Sequence, residues 1–309
     1  MSAEGTGERR IWVDGTLVPW EQATLHVLSQ SAQRASLVFD VMHCYWGPEG
    51  PVILGLHEHS QRFLNSASVS AMRLGLELEG LLAAIGETVR ANPGAQIVKL
   101  SAYYPGVSLD VLPADPTASI AIAAFAIKDI LSGVKLGTPG PARLQVADPR
   151  KMPPWVLSPQ AKLAAGYLYT SIAKQRARAE GFDDVLLLDE RGDVAEASTQ
   201  SFFLVEDGTL YTAPLDYVLA GITRRLVLEL AEDEGIAAKE GPVAAERLRT
   251  APELFMAGTT TNIWPVGRID DHELPAPVPG PITQRLMARF AGVIALEDPL
   301  FSPRWMQKV

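Results

Sequence analysis

Cysteine is almost absent from the sequence, which has a single residue of this type, Cys44, in 309 residues. An intrachain disulfide is therefore impossible, and a cysteine-rich metal site is excluded. We expect Cys44 to be a small buried apolar residue and not a nucleophile. The composition is compatible with a reducing cytoplasm, and a cytoplasmic location is predicted.

The sequence also lacks an apolar run long enough to cross a membrane. Its most continuous run, Ala118–Ile127, has about half the length that a bilayer requires and is interpreted as a buried strand. The first ten residues contain no apolar core of the kind found in secretory signals, and we expect them to form a short mobile tail. No membrane partner is predicted.

Positive charge is in deficit, since 27 Lys and Arg residues stand against 36 Asp and Glu residues and give a net charge of -9 at pH 7. Nucleic acid is therefore not expected as a partner.

Walker and Rossmann fingerprints are absent, which argues against nucleotide-driven or nicotinamide chemistry. His57 and His59 lie two residues apart on a predicted helix and point to different sides, so no metal site is predicted. Ser198–Ser201 lacks the nucleophile-elbow pattern of serine hydrolases.

Apolar residues make up 47% of the sequence, enough to fill the core of two ordinary domains or one large one. Strand and helix periodicities occur in both halves and predict an α/β protein. A change to Gly, Pro and Lys over Lys128–Pro141 indicates a domain connection. We therefore predict a small N-terminal α/β domain over residues 1–128 with a mainly antiparallel sheet, a linker over 129–140, and a larger C-terminal domain over 141–309.

The sequence patterns predict individual elements as follows. The predicted strands cover residues 11–19, as a hairpin that turns at Asp14-Gly15, and residues 38–46, 96–104, 118–127, 185–188, 201–205 and 209–212. The predicted helices cover residues 56–74, 77–91 and 164–180, and a fourth begins near residue 222.

One lysine stands in surroundings that suit covalent chemistry. Lys162 lies in Pro159–Tyr167 among alanine, leucine and glycine, and an ammonium with few charges and little water around it is pushed toward its neutral, nucleophilic form. Schiff-base formation needs such an amine. A carboxylate follows at Glu196, where it could keep the ring nitrogen of a pyridine cofactor protonated. The alternative for Lys162 is a solvated lysine at the start of a helix.

Three further segments predict a site for a phosphate group. In Leu219–Leu226 a glycine-containing loop runs into a helix, whose first amide groups attract anions. In Met256–Thr261 a buried strand ends in a small residue and hydroxyls that can hydrogen-bond phosphate. Arg62 carries a planar guanidinium able to hold the same phosphate in bidentate fashion. Together with Lys162 and Glu196, these segments predict the parts of a pyridoxal phosphate site.

In order and spacing these motifs resemble the class IV aminotransferases, the fold-type IV pyridoxal phosphate enzymes, over nearly the whole chain. That family includes branched-chain, D-amino acid and (R)-amine transaminases and aminodeoxychorismate lyase. The resemblance implies an α+β small domain, a larger β-barrel-like α/β domain, and pyridoxal 5'-phosphate (PLP) as cofactor. It implies that Lys162 forms the Schiff base and acts as catalytic base and acid, that Glu196 pairs with the ring nitrogen, and that Tyr167 hydrogen-bonds the phenolic oxygen. The phosphate is assigned to five residues: Arg62, Gly221, Ile222, Thr223 and Thr259.

The same resemblance implies an exchange of an amino group between an amino acid or amine and a 2-oxo acid, with ping-pong kinetics. Family members are usually homodimers, and Pro105–Leu109 would be the loop that each subunit lends to its partner's active site. Two alternatives stay open: a lyase of the aminodeoxychorismate type, which eliminates instead of exchanging, and a non-catalytic anion-binding protein.

The substrate pocket departs from the branched-chain pattern. Lys99 stands where those enzymes place an arginine, and Arg34 stands where they commonly have a tyrosine, before Phe39. The run Phe39–Val41 is closer to the (R)-amine transaminases. We expect Arg34 or Lys99 to bind the substrate carboxylate and Phe39 to pack on the substrate side chain, with Thr260 completing the predicted substrate-binding residues. The alternative is that both cations face solvent or another subunit.

Overall fold

A computed structural model of the chain describes residues 8–130 and 140–309. Residues 1–7 of the predicted tail and residues 131–139 of the predicted linker lie outside the described residues. The described end of the tail is not all coil, because Arg10 already begins the first strand. The described residues fall into two units. The first unit contains residues 8–130, 161–165 and 299–309, and the second unit contains residues 140–160 and 166–298.

Strands and helices alternate along the chain in the manner of an α/β protein. The strands within the described ranges are β1 (Arg10–Val13), β2 (Thr16–Pro19), β3 (Leu37–Gly47), β4 (Gly50–Leu54), β5 (Arg73–Leu74), β6 (Ile97–Tyr103), β7 (Thr117–Phe125), β8 (Ala142–Val146), β9 (Asp184–Leu188), β10 (Val194–Ala197), β11 (Ser201–Glu206), β12 (Thr209–Thr212), β13 (Ala238–Glu240), β14 (Glu253–Gly258), β15 (Asn262–Ile269), β16 (His272–Glu273) and β17 (Met306–Lys308). The α-helices are α1 (Gln30–Arg34), α2 (Leu56–Val69), α3 (Leu78–Arg90), α4 (Ile127–Ile130), α5 (Leu168–Ala179), α6 (Ile222–Asp233), α7 (Pro281–Ile294) and α8 (Ser302–Trp305). None of these described helices has both the length and the apolar character needed to cross a membrane.

The first unit is built on one sheet with the strand order β17-β4-β3-β6-β7-β1-β2, and β5 lies beside β7. Every pairing is antiparallel except that of β5 with β7, which confirms the expected, mainly antiparallel sheet. Alternate residues of β7 are buried along the strand, because successive side chains point to opposite faces. Side chains of α2 and α3 complete this core, including Phe63, Leu81 and Ile85.

The second unit is built on a sheet that closes on itself. Six strands follow one another in the ring β10-β9-β8-β15-β14-β11, and the pairing of β11 with β10 completes it. Strand β8 is parallel to both of its neighbours, β9 and β15. Strand β9 is buried throughout and β11 nearly so, which explains their continuous runs of Val, Leu and Phe in place of alternation. This closure confirms the predicted barrel-like larger domain.

Two helices differ from the prediction. Helix α2 ends at Val69 and not near residue 74, because Ala71 adopts a left-handed conformation with a φ of 55° and the chain then enters β5. The helix predicted over residues 164–180 is divided into a 3-10 turn, Ala164–Tyr167, and α5. The division follows from pairing in the first unit, where Leu163 forms a β-bridge with Val38.

The two units also differ from the predicted domains. Residues 161–165, which include Lys162, and residues 299–309 belong to the first unit, although the sequence predicts both in the C-terminal domain. A 3.1 Å hydrogen bond from Phe39 N–H to Lys162 C=O holds the first segment, and the pairing of β17 with β4 holds the second. Of the predicted linker, residues 129 and 130 are described as part of α4, where Asp129 pairs with Arg9 at 2.9 Å.

Candidate active site

Asp40 on β3 is the centre of a buried charged group in the first unit. Its side chain has no solvent exposure, and its carboxylate accepts hydrogen bonds from Arg62 Nε and Nη2, both at 2.8 Å. His59 Nδ1 lies 2.7 Å from Asp40 Oδ1 and 3.3 Å from Arg62 Nη2. Residues 59 and 62 are one turn apart on α2, so both reach β3 from the same helix face. Asp40 therefore fixes the fork of Arg62.

The charge states of this group follow from its surroundings. Burial tends to raise the pKa of Asp40, but Arg62 and His59 outweigh burial and hold this pKa well below its ordinary value. Burial lowers the pKa of His59 and outweighs the opposing effect of Asp40, so the imidazole is neutral at neutral pH. The group is thus an ion pair of Asp40 and Arg62 with a neutral histidine as hydrogen-bonding neighbour.

Lys162 is placed against the same two elements. Its backbone N–H donates to Ser66 Oγ at 3.0 Å, and Ser66 lies on α2 one turn after Arg62. Its Nζ lies 4.9 Å from the centroid of the Phe39 ring on β3. Lys99 Nζ, from the neighbouring strand β6, lies 5.4 Å from the same ring. The first unit therefore brings together Lys162, Arg62, Phe39 and Lys99, all of them predicted from the sequence.

In the second unit, Ser201 at the start of β11 is the meeting point of three predicted segments. It pairs with Glu196 on β10 and with Ala257 on β14. A Cβ atom placed on Gly221 would lie 2.7 Å from Ser201 Oγ, so the turn into α6 packs closely against β11. Gly221 has an ordinary φ of -67°, and space is therefore the reason for glycine at this position. Glu196, Gly221 and the turn after β14 are thus gathered around one residue.

Two buried polar atoms beside Ser201 have no hydrogen-bond partner among the described residues: Gln200 Oε1 and Thr261 Oγ1. Both side chains crowd Gly258, because a Cβ atom there would lie 2.8 Å from Gln200 Cγ and 3.5 Å from Thr261 Oγ1. Buried polar groups in native proteins are nearly always hydrogen-bonded, so such atoms mark a place for a ligand. The Thr261 hydroxyl can donate to an anion, whereas Gln200 Oε1 only accepts and needs a donor.

These features fit the phosphate group that the resemblance implies. Helix α6 begins at Ile222 without a side-chain cap, and the first amides of a helix have no intrahelical partner and attract anions. Thr223 is buried in the first turn of that helix, and Thr259 is half-buried in the turn between β14 and β15. We refer to the following residues of the second unit as the anion cradle: Ser201, Gly221, Ile222, Thr223, Gly258, Thr259 and Thr261.

Glu196 has a lysine partner. The register of β10 with β9 shifts between Val194 and Ala197, and such irregularities re-aim side chains next to functional sites. Lys151 Nζ donates to Glu196 Oε1, and the two side chains are 13% and 16% exposed. Burial tends to lower the pKa of Lys151, but Glu196 and Tyr169 outweigh it and raise this pKa above its ordinary value. The lysine is therefore charged and paired.

Three predicted residues remain to be placed. Tyr167 is half-buried at the end of the 3-10 turn that precedes α5. Thr260 is exposed in the turn beside Thr259. Arg34 is exposed at the end of α1, and its Nη1 donates to the Gln33 C=O at 3.3 Å. Among the contacts that the structure describes within the first unit, none joins Arg34 to Lys162 or Phe39.

Sequence reasoning missed several residues at these places. An acidic residue inside a buried strand, Asp40, was a usable signal, because a buried carboxylate requires a cation. Another usable signal was the pair of polar residues, Gln200 and Ser201, at the start of an otherwise apolar strand. Lys151 gave no local signal, since its partner Glu196 is distant in sequence.

Comparison with known proteins gives the family. The model of the family described as amino-transferase class IV matches residues 37–269, a span that contains every predicted site residue except Arg34. The branched-chain-amino-acid aminotransferase of Salmonella typhimurium is 30% identical over 290 residues, which cover 93% of each chain.

Solved structures agree with this result. The branched-chain aminotransferase of Thermoproteus uzoniensis with norvaline matches at a TM-score of 0.88 and 33% identity, covering 97% of this chain and 99% of that one. Another branched-chain amino acid aminotransferase, complexed with N-(5'-phosphopyridoxyl)-L-glutamate, matches at a TM-score of 0.89 and 33% identity, covering 97% and 98%. PLP is the cofactor of this class, and transamination is its reaction. The chain therefore belongs to the class IV aminotransferases.

Proposed function

We propose that this PLP-dependent aminotransferase uses Lys162 as its catalytic lysine, Glu196 for the ring nitrogen and the anion cradle for the phosphate. The observation that carries the proposal is the cradle. A tightly packed glycine, an uncapped helix N-terminus and the unsatisfied, buried Thr261 hydroxyl converge there around Ser201.

Each residue has a distinct task. When bound, PLP supplies an electron sink for the electrons left at the substrate Cα after loss of its proton. Lys162 Nζ removes that proton and returns it during the exchange, acting in turn as base and acid. Glu196 holds the proton of the ring nitrogen, and the Tyr167 hydroxyl donates to the phenolic oxygen. The first product leaves as a 2-oxo acid before the second substrate enters, which gives ping-pong kinetics.

For the phosphate, the second unit offers the first amides of α6 and the hydroxyls of Thr223 and Thr259, and the first unit offers Arg62. A guanidinium has five N–H donors, and Asp40 accepts from two of its nitrogens. The Asp40 pair therefore orients Arg62 and does not by itself exhaust its donors. In a folded Arg62→Ala variant we expect weaker retention of PLP, and an unchanged PLP affinity would remove Arg62 from the phosphate site.

Replacement of Lys162 tests the central assignment. Borohydride reduction of the holoenzyme, followed by digestion and mass spectrometry, should find the pyridoxyl group on the peptide that contains Lys162. Lys162→Ala should lose the adduct, the visible absorbance of the bound cofactor and transamination together. Lys174→Ala is the matched control, because Lys174 is bound to Asp184 at 2.6 Å and has no assigned role. An adduct on another lysine would refute the assignment.

Lys99 is the favoured cation for the substrate carboxylate. Its Nζ shares the Phe39 ring with Lys162 Nζ, at 5.4 Å and 4.9 Å from the ring centroid. Both Lys99 and Arg34 are exposed, but the guanidinium of Arg34 is bonded to its own chain neighbour. With the named relatives, this placement supports a branched-chain amino acid as donor, a 2-oxo acid as acceptor, and Phe39 beside the donor side chain. The acyclic, apolar side chains of leucine and valine suit an aromatic neighbour.

A donor panel with pyruvate and 2-oxoglutarate as acceptors tests this substrate proposal. It contains both enantiomers of alanine, leucine and 1-phenylethylamine, the last of which has no carboxylate. Loss of a hydrogen bond to a charged group costs about 1.5–3 kcal/mol, so Lys99→Met should raise KM for leucine roughly 10-fold to 100-fold. KM for 1-phenylethylamine should not change in the same variant. Equal effects on both donors would remove Lys99 from carboxylate binding.

A homodimer is proposed from the surface of the first unit. The loop that contains Pro105–Leu109 exposes several apolar side chains, and Leu109 is 99% exposed. The loop is nevertheless ordered against α1, since Gln30 N–H donates to Gly106 C=O at 2.9 Å. An ordered apolar surface suits a second copy of the chain. Light scattering should give a dimer for the wild type and a smaller mass for Leu109→Asp, and a monomeric wild type would refute this.

The lyase alternative predicts turnover without any 2-oxo acid, whereas amine exchange requires one. Measuring product formation with and without pyruvate therefore separates the two reactions. The cytoplasmic location stays a prediction from the sequence.

A further inference from the structure

Lys151 joins two neighbouring strands of the barrel next to the proposed cofactor acid. It follows β8 in the chain, and its backbone N–H donates to the Leu188 C=O at the end of β9 at 2.8 Å. Its side chain reaches Glu196 on β10, the strand that pairs with β9. The backbone and the side chain of Lys151 are thus both bonded to barrel strands, which fixes the position of its ammonium group.

Only one of the two carboxylate oxygens of Glu196 accepts a hydrogen bond from the residues that the structure describes. Oε1 accepts from Lys151, and Oε2 accepts no hydrogen bond from the residues that the structure describes. Both side chains are largely buried, at 13% and 16% exposure. Tyr169 is the other ionisable group acting on Lys151, and its hydroxyl accepts a long hydrogen bond of 3.4 Å from Met152 N–H. Within the described part of the chain, the ammonium therefore has one anionic partner, Glu196.

We propose that Lys151 is a positioning residue that fixes the Glu196 carboxylate and leaves its second oxygen for the ring nitrogen of PLP. The inference rests on the proposed role of Glu196. A buried carboxyl group and a pyridine nitrogen can share one proton in two ways, and an apolar setting favours the uncharged form. A cation in contact with the carboxylate stabilises that anion more than it opposes the more distant charge on the ring, because Coulomb energy falls with distance. Lys151 thereby favours a protonated ring nitrogen beside the Glu196 carboxylate.

The direct test observes that proton. Apoenzyme is reconstituted with PLP carrying nitrogen-15 in the ring, whose chemical shift reports whether the nitrogen is protonated. We expect a protonated ring nitrogen in the wild type and in the control Lys174→Met, which breaks another lysine–carboxylate pair of the second unit. In Lys151→Met the shift should move toward the unprotonated value. The kcat of that variant should fall about 10-fold to 100-fold, the usual range when a group that orients a functional ligand is removed. Lys151→Arg should keep both the chemical shift of the protonated ring nitrogen and the kcat close to those of the wild type.

A double-mutant cycle separates action through Glu196 from a structural role. If Lys151 acts through Glu196, adding Lys151→Met to Glu196→Gln changes kcat little. If the two residues act independently, the fold-changes in kcat of the two single variants multiply in the double variant. A ring nitrogen equally protonated in wild type and Lys151→Met, or multiplied effects on kcat, would overturn the inference. Should Lys151→Met not fold, Lys151→Gln gives the same readings. Failure of the proposed function is recognised separately, because the wild-type enzyme would then lack the pyridoxyl adduct on Lys162 or a protonated ring nitrogen.

Discussion

Removal of the Asp40 charge should destabilise the first unit strongly. Asp40 is fully buried and is held by Arg62 Nε and Nη2 at 2.8 Å and by His59 Nδ1 at 2.7 Å. Asp40→Asn keeps the volume but removes the negative charge that the guanidinium of Arg62, itself only 9% exposed, contacts. Breaking one side of a buried pair costs about 3–5 kcal/mol, because the remaining charge is desolvated and uncompensated.

Urea unfolding of the apoprotein measures this cost. With a slope of about 3 kcal/mol per molar urea for a protein of this size, the midpoint of the affected transition should fall by roughly 1 M or more. The control is Asp183→Asn, since Asp183 pairs with Arg143 at 3.2 Å where both side chains are solvent-accessible. An exposed pair of that kind contributes about 1 kcal/mol or less.

The pairing also makes a prediction about two changes together. Asp40→Asn combined with Arg62→Met removes both charges, so the double variant should be more stable than Asp40→Asn alone. A midpoint for Asp40→Asn as close to wild type as that of Asp183→Asn would refute the reasoning. So would a double variant whose destabilisation is the simple sum of the two single changes.

Three further predictions follow from single residues. Gly221→Ala brings a Cβ to 2.7 Å from Ser201 Oγ, so it should weaken PLP binding about tenfold and destabilise the protein by about 1–3 kcal/mol. Gly292→Ala, which has open space around its Cβ, should do neither, and equal PLP affinities of the two variants would contradict the cradle. The free energy of unfolding should decline as pH falls below about 6.5, because His59 then binds a proton in the unfolded chain but not in the folded protein, where its pKa is lowered. It should decline further below about 4, because the pKa of Asp40 is also lowered in the folded protein. A flat thermal midpoint from pH 7 to pH 4 would count against this. Burial raises the pKa of Cys44 to about 12, so Ellman's reagent should react with it only on unfolding, and fast reaction of the native protein would be inconsistent with that burial.

Local patterns sufficed where the determining contacts are local. The alternation in β7 and the spacing of Leu81, Ile85 and Val89 on α3 follow the geometry of strand and helix, and both elements were predicted within a few residues. The left-handed turn at Ala71 that ends α2 was not predicted, because alanine gives no signal for that conformation.

Contacts between distant residues were the part that the sequence could not give. Asp40 pairs with Arg62 across 22 positions, and Lys151 pairs with Glu196 across 45. Lys162 was predicted as the reactive lysine, but its place in the first unit depends on the bridge of Leu163 with Val38. Such pairings depend on how the sheets assemble, and a segment read alone shows only that a charge is present.

The two long-range pairs have a common consequence for cofactor binding. Arg62 and Glu196 are both proposed to contact PLP, and each has a partner of opposite charge within its own unit, Asp40 and Lys151. Burying a lone charge is costly, whereas a charge already paired and fixed in one orientation needs little further desolvation or ordering when a ligand arrives. Most of the free-energy cost of desolvating and ordering these two charged side chains is therefore incurred on folding and not on PLP binding. A site arranged in this way should bind PLP without large rearrangement of either residue, and substitution of Asp40 or Lys151 should reduce PLP affinity although neither is assigned a contact with it.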